Sequence, residues 1–83
     1  MTRNEANQYL AVILETVAKA GKSGAPNGYL YAAFNSKGMT LDEYQMLISL
    51  AKSGELIEES NHLLTITDKG REMVAKIALK RTG

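Results

Sequence analysis

TLDEYQMLISLAKSGELIEESNHLLTITDKG, residues 40–70, changes its hydrophobic period twice, and the order of those changes settles the architecture. Thr40 followed three residues later by Glu43 is a capping box, in which each residue satisfies an orphan donor of the other at a helix start. At about 100° per residue, Leu41, Tyr44, Leu47, Ile48 and Ala51 share one arc of about 120° and form a buried face. Asp42, Gln45, Ser49, Lys52 and Ser53 lie opposite, with Met46 at the margin. Gly54 reads as the left-handed residue that stops this helix. The period then falls to two in Leu64-Thr65-Ile66-Thr67, so strand is expected within about 55–67, apart from a residue or two near Ala25, with Ser60-Asn61-His62 as a hairpin tip. Thr67 caps a last helix and places Asp68 near its positive end.

Working outward, residues 4–20 form a first helix whose inward face is Ala6, Tyr9, Leu10, Ile13, Leu14 and Val17. Asn4 is its expected cap and Gly21 its stop. Residues 21–27 are a loop by their glycines and proline, with a very short strand around Gly24 and Ala25 beside the hairpin. Asn27 is expected to cap a short helix over 28–34 that points Leu30, Ala33 and Phe34 inward. A turn over 35–39 leads into the central helix. The last helix spans 68–80, with Gly70, Met73, Val74, Ile77 and Ala78 on its apolar side, and Arg81, Thr82 and Gly83 should fray. The expected core is Leu30, Phe34, Tyr44, Ile48, Leu56, Ile66 and Val74.

Composition sets the bounds. With 83 residues the chain is read as one domain, residues 1–83. Its 45% apolar and 23% charged residues are those of an ordinary globular protein. The absence of cysteine excludes disulfides and thiolate metal sites, and the single histidine, His62, makes a metal centre an unexpected use. No apolar run approaches the roughly 20 residues that span a bilayer, and no apolar signal core opens the chain, so a cytoplasmic protein is expected. The net charge of +1 hides a strong division. Residues 38–64 carry Lys52 against Asp42, Glu43, Glu55, Glu58 and Glu59, whereas both flanks are basic.

Nothing in the sequence assembles a catalytic constellation. Gly21-Lys22-Ser23 echoes a phosphate-binding loop, but Thr16 stands where that loop needs its first glycine, and a helix rather than a strand precedes it. Glu58 and Glu59 adjoin in a strand and point to opposite faces, so they cannot act as a carboxylate pair unless the strand bulges. His62 at a hairpin tip reads as a solvated turn residue. No enzyme activity and no cofactor are expected.

The order helix, short strand, helix, turn, helix, hairpin, helix resembles the winged helix-turn-helix superfamily of small bacterial, archaeal and phage regulators. The residues that carry the likeness are Leu30-Tyr31-Ala32-Ala33, Thr40-Leu41-Asp42-Glu43, Ala51-Lys52-Ser53-Gly54-Glu55-Leu56-Ile57 and Thr65-Ile66-Thr67-Asp68-Lys69-Gly70. The resemblance implies a mainly α fold with a small β-hairpin and a transcription-regulator-like role on double-stranded DNA. The central helix would then be the recognition helix and the hairpin the wing. Gln45, Met46, Ser49 and Lys52 on the helix, with Asn61 and His62 at the wing tip, are the candidate DNA contacts. Two features depart from that pattern. Asp42 and Glu43 sit at the base-reading end, and the wing tip from Glu58 to His62 has no Lys or Arg.

The alternative is a winged helix used for protein–protein contact through this acidic helix and wing. Tyr29 and Tyr31 are candidate partner contacts, since aromatic residues are common interface anchors. Val12 and Leu79 are the candidates for a homodimer through the first and last helices. Arg3, Lys19 and Lys22, with Lys69, Arg71, Lys76 and Lys80, offer a basic surface on those same helices.

Overall fold

Threonines set the helix starts. In the computed structural model, which describes residues 1–82, Thr40 opens α3 (Leu41–Ser53) with both bonds of its capping box. The Thr40 amide donates to Glu43 Oε1 at 2.9 Å and the Glu43 amide to Thr40 Oγ1 at 3.2 Å. Helix α1 (Arg3–Ala20) begins the same way, on a Thr2–Glu5 box rather than on Asn4. Asn4 is overruled because Thr2 and Glu5 satisfy two orphan donors at once. A 3-10 turn (Gly21–Ser23) follows, where a plain loop is expected from the glycines. It leads to β1 (Ala25–Pro26) and then α2 (Asn27–Asn35).

Strands β2 (Ile57–Ser60) and β3 (Leu63–Ile66) form the hairpin. Its tip is the two-residue turn Asn61-His62, since Ser60 is already paired with Leu63. Both turn residues have positive φ, 52° and 64°, the pattern of a type I′ turn. The sheet order is β1-β3-β2, all antiparallel, with Ala25 opposite Leu64 and Ile57 opposite Ile66. The short strand expected near Ala25 is therefore present. Pro26 lies on an outer strand, where its missing N–H is tolerated.

Helix α4 (Asp68–Thr82) starts at Thr67, whose Oγ1 accepts the Gly70 amide at 2.9 Å and donates to the Glu55 carbonyl at 2.6 Å. It runs two residues beyond the expected end, and Gly83 lies outside the described residues. The architecture among the described residues is thus mainly helical, four α-helices and a three-stranded antiparallel sheet. No helix there is long and apolar enough to cross a membrane.

The core gathers Ile13, Leu14 and Val17 of α1, Leu30 and Phe34 of α2, Tyr44, Leu47 and Ile48 of α3, and Leu56, Ile57 and Leu64 of the hairpin region. Ile66 and Val74, expected at its centre, are only partly buried against it. Helix α4 is covered on one side, mainly by α1, so Met73 and Ala78 stay exposed. Ala33 is exposed as well. Helix α2 turns Leu30, Tyr31 and Phe34 toward the core, because the Tyr31 and Phe34 rings both pack on Tyr44, and that rotation carries Ala33 outward. Leu41, the first residue of α3, is 47% exposed because it borders an open groove whose α2 side is Asn27, Gly28 and Tyr31.

The stop after α3 also differs from expectation. Gly54 has φ −79°, and the left-handed residue is Glu55 at φ 59°. Leu56 must return its N–H to the Ala51 carbonyl, and Thr67 holds the Glu55 carbonyl, so tertiary bonds place the strain one residue later. Replacing Glu55 by glycine should raise stability by about 0.5–1 kcal/mol in denaturant unfolding, because the left-handed penalty is removed.

Candidate functional site: a groove between two helices and the hairpin

Asn27 is the hub of this region. It is not the helix cap expected from its sequence position, since Pro26 holds that place without a side-chain bond. Its side chain reaches across the fold instead. The Tyr44 hydroxyl donates to Asn27 Oδ1 and, at 3.3 Å, to its carbonyl. Asn27 Nδ2 donates to Glu59 Oε2 at 2.9 Å, and its amide donates to the His62 carbonyl at 2.9 Å. One residue thereby ties α2, α3, β2 and the hairpin turn together.

Lys52 and Glu59 complete the chain. Lys52 Nζ is ion-paired with Glu59 Oε1, so both carboxylate oxygens are engaged. The Lys52 bond, followed by the Asn27 bond, holds Glu59 below the usual carboxylate range. Its stabilising contribution is therefore present above the ordinary glutamate range and is lost as pH falls through its lowered pKa. Burial, with Glu59 nearby, pushes the Tyr44 hydroxyl up to about 12, so it remains a donor.

Above this network lies an open groove lined by Asn27, Gly28, Tyr31, Leu41, Tyr44, Gln45 and His62. The Tyr31 and Tyr44 rings stand 5.4 Å apart at 52° and make its aromatic wall. A second cleft shares Asn27, Tyr44 and Gln45 and continues along α3 past Ser49 to Lys52 and Glu59. A Cβ built on Gly28 would meet nothing within 4 Å, so the groove is open there.

The residues singled out from the sequence divide into groups. Gln45 and His62 meet at the groove, and Ser49 and Lys52 line its continuation. Met46 is exposed on α3 and Asn61 on the turn. Tyr31 forms the groove wall, while Tyr29 is 80% exposed in the first turn of α2. Val12 and Leu79 are exposed on two other helices, α1 and α4. Asn27, Gly28 and Leu41 were not legible as site residues, because their letters read as cap, turn and core. Among the described residues no three His, Asp or Glu side chains come together in a way that could hold a metal ion.

His62 occupies a position at which type I′ turns strongly favour glycine. A local rule broken beside a groove is the pattern expected where a side chain is kept for use. His62→Gly should therefore raise stability by about 0.5–1 kcal/mol, measured by denaturant unfolding, while removing one wall of the groove. No known family, curated protein or solved structure matches the chain.

Proposed function

We propose that the chain is a winged helix-turn-helix domain whose α3, groove and hairpin hold another protein. Three helices followed by a hairpin, with β1 added at the sheet edge, support the winged-helix reading. The observation that carries the protein-contact reading is the pairing of Lys52 with Glu59. Lys52 is the one base between residues 38 and 68, and this bond neutralises it. Duplex DNA is gripped through several phosphate-neutralising lysines or arginines. Here Asp42, Glu58 and Glu59 stand at those places instead.

Helix α3 also exposes three large apolar side chains, Leu41 at 47%, Met46 at 46% and Leu50 at 51%. Apolar side chains on a rim poor in lysine suit a protein interface core. Selection of a random displayed-peptide library against the protein tests the reading. Enriched peptides should bind Leu41→Asp and Met46→Asp variants at least about tenfold more weakly, and these exposed changes should shift stability by only about 0.5 kcal/mol. Peptides that bind both variants as well as the parent would overturn it.

A second reading, double-stranded DNA, is favoured by one observation. Gln45 and His62 meet at one groove and Ser49 lines its continuation, so a helix and a turn present hydrogen-bonding side chains together. A recognition helix and wing would use such groups on base edges and phosphates.

A further inference from the structure

The geometry points to the groove as a receptor for an arginine side chain carried by the partner protein, a refinement that rests on the protein-contact reading above. The first argument is the wall. Tyr31 is half-buried with its ring against Tyr44, and a tyrosine face attracts a cation through its ring quadrupole. Arginine suits such a wall better than lysine, because its guanidinium is planar, weakly hydrated and stacks on aromatic rings.

Charge is the second argument. The groove lining contains no lysine, arginine, aspartate or glutamate, and the His62 imidazole is its one group able to carry a positive charge. The adjoining cleft contains Glu59, and the surrounding segment from residue 38 to 64 carries five acids against Lys52 alone. Glu59 accepts one bond at each oxygen, whereas a carboxylate offers about four acceptor sites. An incoming guanidinium thus finds an acceptor without breaking the Asn27 bond. A nucleotide would bring phosphates to this same acidic surface, which disfavours it.

Space is the third. Gly28 leaves the mouth open and Leu41 lies exposed beside it. Together they accommodate the aliphatic stem that an arginine lays along apolar surface.

The test is an amide chemical-shift titration of the intact chain with a blocked Leu-Arg-Leu peptide and with its citrulline twin, in which an uncharged urea replaces the guanidinium, two N–H donors giving way to a carbonyl oxygen. The arginine peptide should give saturable shifts at Gly28, Tyr31, Gln45 and His62. It should bind at least about tenfold more tightly than the citrulline peptide, as expected for a cation–aromatic contact with a charge-assisted bond. Tyr31→Phe should keep this difference and Tyr31→Leu should abolish it, with the spectrum of each variant reporting that it folds. Equal binding of the two peptides, shifts confined to α1 and α4, or a Tyr31→Leu variant that still discriminates would each overturn the assignment. A mixed-sequence duplex added to the same sample separates the two failures. Groove shifts with duplex sink the protein-contact reading itself, whereas no response to duplex or either peptide sinks only the arginine assignment.

Discussion

Gly70→Ala should unfold the domain at markedly lower denaturant, with a loss of roughly 3 kcal/mol or more. A Cβ at residue 70 would sit 2.2 Å from the Leu56 carbonyl oxygen and 2.6 Å from Ile66 Cδ1. That carbonyl cannot move aside, because it accepts the Thr67 amide at 3.1 Å. Thr67 in turn caps α4 through the Gly70 amide and holds the Glu55 carbonyl. The substitution therefore pushes α4 off the point where it joins the hairpin. Alanine's higher helix propensity returns only about 1 kcal/mol, so the clash decides the sign. For a domain this small the melting temperature should fall by more than about 10 °C. An unchanged midpoint would mean that α4 does not approach Leu56 as described.

Phe34→Ala is the second large effect, about 3–5 kcal/mol in the same measurement. Phe34 is buried between α1 and α3, with the Tyr9 ring edge-on at 5.9 Å and the Tyr44 ring at 6.3 Å. Removing the ring leaves a cavity that two tyrosines cannot fill without breaking their other contacts. Tyr44 is held by Asn27 and packed on Tyr31, so the damage reaches the groove wall. Stability in this range is a large share of what a domain of this length has. A change under about 1 kcal/mol would place Phe34 outside the core.

Much of this arrangement is written locally. The Thr40–Glu43 box, the Thr67 cap and the alternation through Leu64 and Ile66 are short-range signals, and each appears where its letters put it. The α1 face from Ala6 to Val17 is legible for the same reason, since its period belongs to the helix alone. What sequence reasoning misses is decided between distant residues. Asn27 looks like a cap, but its partners are Tyr44 and Glu59, 17 and 32 positions away. Gly54 looks like the left-handed stop, yet Thr67 fixes that conformation at Glu55 from 12 positions away. Lys52 reads as a free cation on a polar face, and only the return of β2 beside α3 shows that Glu59 takes it. The groove likewise depends on how α2, α3 and the hairpin turn approach one another, bringing Gly28, Tyr31, Leu41, Gln45 and His62 to one opening. Periodicity within one element carries no signal for that approach.

The most direct measurement is a titration of the intact chain with mixed-sequence duplex DNA at low ionic strength, followed by amide shifts. A domain that grips duplex without regard to sequence typically has a dissociation constant of roughly 1–100 µM even at physiological salt, and tighter at low salt. With Lys52 held by Glu59 and acids along α3 and the hairpin, the prediction is no saturable binding up to about 100 µM duplex. Saturable shifts at Gln45, Ser49, Asn61 and His62 that weaken steeply with added salt would contradict the account.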